Sequence, residues 1–111
     1  MWGRVVIMII ELIKPTVDKE LSRNFKMLQF YENEIKALPK GNISIKKVNN
    51  NSYYYLKYRK DTKIITDYIG KNTLHIKSIE EQIIKRKHFQ RMLSALLEEQ
   101  KEIKRIIRVL S

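Results

Sequence analysis

Between residues 53 and 71 the chain reads Tyr53-Tyr54-Tyr55-Leu56-Lys57-Tyr58-Arg59 and then Lys63-Ile64-Ile65-Thr66-Asp67-Tyr68-Ile69-Gly70-Lys71, which puts five of its six tyrosines in one short stretch. Tyrosine and β-branched residues fit a pleated surface, and Lys60-Asp61-Thr62 between the two runs supplies a turn. The stretch is therefore predicted to be a pair of antiparallel strands. Because successive side chains of a strand point to opposite faces, Tyr54, Leu56 and Tyr58 fall on one side, and Tyr53, Tyr55, Lys57 and Arg59 on the other. The first set suits a core. The second offers aromatic planes and cations to a polyanion.

Upstream, Ile43-Ser44-Ile45-Lys46-Lys47-Val48 alternates as a strand should, and Asn49-Asn50-Asn51 follows with residues that tolerate left-handed backbone. This adds a first strand over 43–48 to those expected over 53–59 and 63–69, with Ile43 and Ile45 joining the core side and Lys46 the opposite one. In the third strand either Ile64, Thr66 and Tyr68 or Ile65, Asp67 and Ile69 can face inward. The second set costs more, since it brings a carboxylate close to an apolar layer.

Helices are expected on both sides of this meander. From residue 16 to 38, Val17, Leu21, Phe25, Leu28, Tyr31, Ile35 and Leu38 recur at steps of three and four, and Pro39-Lys40-Gly41 stops the pattern. The spacing Ser78-Ile79-Glu80-Glu81 fits a capping box that opens a second helix running to Leu110. In that helix Phe89, Leu96, Ile103 and Leu110 repeat every seven residues with Leu93 and Ile107 between them, which predicts a coiled-coil seam and a homodimer through the second helix. The fold class is thus α+β: a helix, a three-stranded antiparallel meander and a long C-terminal helix, in the order αβββα. Residues 16–111 form this single domain behind an apolar N-terminal extension, 1–15.

That extension contains Val5-Val6-Ile7-Met8-Ile9-Ile10, cut short by Glu11 and Lys14. A spanning helix needs about 20 apolar residues, so the segment reads as a strand or short helix covering the core, with no membrane partner. The chain has no cysteine, which removes disulfides, thiol catalysis and cysteine-based zinc sites and fits a cytoplasmic location.

Charge then narrows the partners. The formal net charge is +11, from 23 basic and 12 acidic side chains, and such an excess attracts polyanions. Residues 41–72 hold seven basic and two acidic groups, so the excess is densest around the tyrosines. The candidate nucleic-acid-binding residues are Lys46, Tyr53, Tyr55, Lys57 and Arg59. Arg86 and Arg91 are possible auxiliary phosphate contacts. The rest of the run Lys85-Arg86-Lys87-His88 diverges by about 100° per residue around a helix and forms no continuous face. His75 and His88 belong to no metal-ligand pattern, and no phosphate-cradling glycine loop, nucleophile elbow or catalytic carboxylate pair occurs. The expectation is a small non-enzymatic nucleic-acid-binding protein without cofactor or small-molecule substrate. The alternative is a protein-interaction module, such as a coiled-coil adaptor or antitoxin-like partner.

The residues Gly41-x-Ile43, Tyr53-Tyr54-Tyr55-Leu56-x-Tyr58-Arg59, Lys63 and Tyr68-Ile69-Gly70-Lys71 resemble a tyrosine-rich module of uncharacterised prokaryotic proteins, and are similar to N-terminal segments of some transposases and Fic-type proteins. The resemblance spans about residues 38–72 and implies a mobile-element or defence context without any activity to carry over. Asparagines stand here where the module's first hairpin has glycine. The αβββα order also resembles double-stranded-RNA-binding domains, although Ser78-Ile79-Glu80-Glu81 replaces the basic motif that opens their last helix.

Overall fold

A computed structural model describes residues 2–111. The order of elements is α1 (Trp2–Ala37), β1 (Asn42–Val48), β2 (Asn51–Lys60), β3 (Lys63–Gly70) and α2 (Thr73–Leu110). This is the expected α+β arrangement, with a three-stranded antiparallel sheet in the order β1-β2-β3. Two compact units are present, one formed by 1–33 with 90–111 and the other by 34–89.

Both helices begin earlier than their sequence signals. Residues 2–15, expected as an extension, are the opening turns of α1, and Pro15 lies inside that helix. An interior proline costs about 3 kcal/mol relative to alanine, which is why the helix is expected to start only after Pro15. The helix nonetheless runs through it: Ile10 is half-buried before the proline and Val17, Leu21, Asn24 and Leu28 are half-buried or buried after it, with residues 11–16 exposed between them. At the other helix, Asn72 is the cap, its Oδ1 accepting from the Leu74 and His75 amides at 3.0 and 3.3 Å. Two orphan N–H groups of the first turn are satisfied by a cap six residues ahead of the predicted one. Ser78 sits within the helix instead, where its Oγ accepts from Gln82 Nε2 at 3.3 Å.

The helical unit buries Leu28 and Leu96 at 6% and 5% exposure and holds one fully buried polar side chain, Asn24. Its amide cannot be left unpaired without cost. Asn24 Nδ2 donates to the Leu96 carbonyl at 2.8 Å and to Glu99 Oε1 at 3.3 Å, and its Oδ1 accepts from Gln100 Nε2 at 3.3 Å. The bonds fix which turn of α1 meets which turn of α2. Leu96 and Ile103, two positions of the seven-residue row, are thus buried or half-buried inside the chain itself. No helix among the described residues is long and apolar enough to cross a membrane.

In the sheet unit the core side chains of α2 are Ile76 and Ile83, each 6% exposed. Ile43 lines a small cleft with Ile83, so the sheet side carrying Ile43 is the one that meets this helix. Arg86 closes the end of α1: its Nη1 donates to the Ile35 and Leu38 carbonyls, each at 2.7 Å. Ile35 lies in the last turn of α1, where its carbonyl also accepts from the Leu38 amide at 3.2 Å, and Leu38 follows directly after the helix, so Arg86 binds the carbonyls of the helix end. The chain then enters β1 through Gly41, whose φ of 106° lies in the region that favours glycine.

Candidate nucleic-acid interface

Turn length sets the register, and register sets the faces. Asn49 and Asn50 both take left-handed φ values, 50° and 64°, as a two-residue hairpin turn with matched twist requires. Val48 therefore pairs with Asn51, Lys46 with Tyr53, Ser44 with Tyr55 and Asn42 with Lys57. The second hairpin also turns in two residues, Asp61 and Thr62, with Asp61 at φ 57°. Counting back from Lys60↔Lys63 pairs Arg59 with Ile64, Lys57 with Thr66 and Tyr55 with Tyr68. Paired residues share a face, so Lys46, Tyr53, Tyr55, Lys57 and Arg59 are brought together on one side of the sheet, opposite to that of Ile43.

This open side also holds three residues that the sequence reading did not assign to it: Ile64, Thr66 and Tyr68. Ile64 is 62% exposed and Tyr68 55%. The costlier choice for β3, with Ile65 and Asp67 on the helix-facing side, is the one adopted. Asp67 is not driven into an apolar layer, because it remains exposed and its Oδ2 accepts a 2.8 Å hydrogen bond from the Tyr58 hydroxyl. The missed signal was the turn: a two-residue loop forces Tyr68 opposite Tyr55, and treating Lys60 as part of the turn hid this.

Around the tyrosines the geometry is close. The Tyr68 ring lies 5.4 Å from that of Tyr55 and 6.3 Å from that of Tyr53, tilted by 56° and 45°. A register shift at Tyr54/Tyr55 marks a bulge in β3, after which Gly70, at φ 101°, turns the chain. Lys71 then lies over the Tyr53 ring, its Nζ 4.5 Å from the centroid. Such a cation over an aromatic face is attracted by the ring quadrupole. Lys46, Lys57 and Arg59 are exposed. The side therefore joins four cations to three tyrosines, and none of the residues that alternate onto it is acidic.

The reverse side differs in chemistry. Leu56, Tyr58, Asp67 and Arg86 line a cleft of about 460 Å³. The hydrogen bond to Asp67 raises the Tyr58 pKa above the ordinary 10.0, helped by partial loss of water and by the carboxylate charge. Ionising the phenol would remove the donor and set two negative groups together. Any stability from this pair is present below pH 10 and is lost as pH rises through the higher folded value. In alkaline absorbance titrations, the difference between wild type and Tyr58→Phe isolates this group. Asp67→Ala is expected to return its midpoint toward 10, and an unchanged midpoint would show that Asp67 does not hold the proton.

Of the auxiliary arginines, Arg86 is engaged away from the open side. Arg86 is half-buried at the end of α1, with Nη1 engaged by two carbonyls and Nε buried without an acceptor. Arg91 is exposed and belongs to the helical unit. Lys87 donates to Asn42 Oδ1 at 3.1 Å, and Lys85 Nζ lies 5.5 Å from the Phe89 ring centroid. Among the described residues no group of three or more histidine, aspartate or glutamate side chains is placed to hold a metal ion.

A family model matches residues 17–88, and the chain belongs to that family, a domain of unknown function designated DUF6788. The matched segment contains the whole sheet and the open side described above. No curated protein and no solved structure matches the chain.

Proposed function

We propose that this member of the DUF6788 family is a non-enzymatic nucleic-acid-binding protein whose contact surface is the open side of the sheet. The observation that carries the reading is the gathering of Lys46, Lys57, Arg59, Lys71 and Tyr68, all exposed, with the half-buried Tyr53 and Tyr55 on one side of the sheet that lacks carboxylates. Cations near phosphates release condensed counterions, so affinity of this origin falls steeply with salt. Fluorescence anisotropy with labelled duplex DNA, single-stranded DNA and duplex RNA tests it. Binding to at least one probe should weaken as salt rises. Absence of binding to all three at about 50 mM salt would overturn the proposal.

Self-association belongs to the helical unit in this reading. Trp2, Val5, Ile9 and Leu12 follow each other at steps of three and four on α1 and are 79%, 44%, 47% and 71% exposed. Ile7 and Met8, on other sides of the same turns, are also exposed. A membrane-surface helix keeps a strongly charged side, whereas residues 2–13 carry only Arg4 and Glu11. A second copy supplies the matching apolar surface without adding charge repulsion there. Sedimentation of the 13.4 kDa chain should give twice that mass at micromolar concentration. Ile9→Asp with Leu12→Asp should give monomers, and a wild-type mass of one chain would remove the dimer.

A further inference from the structure

We infer that the open side is built to enter the major groove of duplex DNA and read bases with Arg59 and Ile64, using the tyrosines as its scaffold. The inference rests on the nucleic-acid reading above and names the class of nucleic acid. Its first support is the arrangement of the rings. A protein that holds unpaired bases needs aromatic faces open for stacking. Here Tyr68 packs at a tilt against both Tyr53 and Tyr55, and Lys71 covers the Tyr53 ring. The rings support one another and present no parallel slot for a base.

The second support is the shape of the sheet near Arg59. β1 begins at Asn42, opposite Lys57, whereas β2 continues to Lys60 and β3 starts at Lys63. The β2–β3 hairpin thus runs past β1 as a two-stranded ribbon that carries Arg59 and Ile64 side by side. Neighbouring strands lie about 4.8 Å apart, and the B-form major groove, about 12 Å wide, admits such a ribbon. The A-form major groove of RNA is too narrow for side chains to read.

The third support is chemical. Arg59 is exposed and has no ion pair among the described residues. A guanidinium in this setting matches the two acceptors of guanine. Ile64 is a large apolar side chain, 62% exposed, directly opposite Arg59. It contributes little to phosphate binding, but it matches the thymine methyl group, which uracil lacks. Thr66, opposite Lys57, extends the row with a hydroxyl and a methyl. Lys46, Lys57 and Lys71 are left to hold phosphates on either side.

The test starts with the full chain and three randomised pools: duplex DNA, single-stranded DNA and duplex RNA. Duplex DNA should be bound at least tenfold more tightly than the other two, and selection from it should return a short motif containing guanine and thymine. Replacing the selected thymine by uracil in the same duplex removes only the methyl group. Wild-type affinity should fall several-fold, whereas Ile64→Ser should bind both duplexes equally. Arg59→Gln should lose about tenfold discrimination at the guanine. Circular dichroism and an unchanged melting temperature confirm that each variant is folded. Equal or tighter binding to single strands or RNA would overturn the groove inference while leaving nucleic-acid binding intact. No sensitivity to uracil would remove the role of Ile64, and no binding to any pool would remove the underlying reading itself.

Discussion

Lys57→Ala combined with Arg59→Ala is expected to lower affinity for a selected DNA duplex at least tenfold, through two separable effects. In the proposed contact Lys57 holds a phosphate, so its loss should reduce the magnitude of the slope of log K against log salt by about one. Arg59 is proposed to read a base, so its loss should cost about 1–3 kcal/mol on the preferred site and relax sequence preference. Both side chains are exposed on the side opposite the core and form no ion pair among the described residues, so the fold should be unaffected. The matched control is Lys85→Ala with Lys87→Ala. These lysines lie over Phe89 and on Asn42, and their removal should change binding less. Salt titrations of wild type and both double variants on one duplex supply the comparison. If the helix variant lost as much affinity as the sheet variant, the contact surface would have to include α2.

Gly41→Ala should be the most damaging single substitution in the sheet unit. A Cβ at this position would overlap the Lys57 carbonyl oxygen and press on Tyr58 Cβ, and φ is 106°. Backbone strain alone costs about 1–3 kcal/mol. The overlap adds to it, because a strand backbone in a hydrogen-bonded sheet cannot yield as a flexible side chain would. Gly70→Ala is the control. Its φ is 101°, but nothing lies within 4 Å of the added carbon, so it should pay the strain and no more. Denaturant melts should therefore show a clearly larger loss for Gly41→Ala than for Gly70→Ala. Nucleic-acid affinity should fall with the first, since Gly41 fixes β1, and with it Lys46, beside the central strand. Equal losses would mean that close approach at Gly41 contributes nothing.

The meander was legible because its signals are local. Alternation over residues 43–48 and 53–59 assigns the two sides of the sheet, although Ile45, expected in the core, is 55% exposed, and asparagines at the first turn accept the left-handed geometry that fixes the pairing. The five proposed contact residues fall on one side for that reason. Tyr68 was harder to place, since both settings of β3 bury isoleucine, and an unpaired Asp67 seemed too costly on the helix side. The structure removes that cost with exposure and a hydrogen bond from Tyr58, which the register of the β2–β3 hairpin brings beside Asp67. Lys71 was invisible as a neighbour of Tyr53, because it arrives there only through a bulge and the turn at Gly70. Helix starts were misread for a related reason. Pro15 and the Ser78 box are strong local signals, but α1 runs through the first, with Ile10 and Val17 half-buried on either side of it, and a cap at Asn72 pre-empts the second.

The most direct measurement of the central claim is a two-dimensional amide NMR titration of the full chain with a short DNA duplex. Shift changes should concentrate at Lys46, Tyr53, Tyr55, Lys57, Arg59, Ile64, Thr66, Tyr68 and Lys71, and should leave Lys85 and Lys87 nearly unmoved. Rising salt should shrink them together, because one surface and one set of phosphates produce them all. Shifts running along the helix from Lys85 to Arg91 with a silent sheet, or no shifts at low salt, would contradict the account.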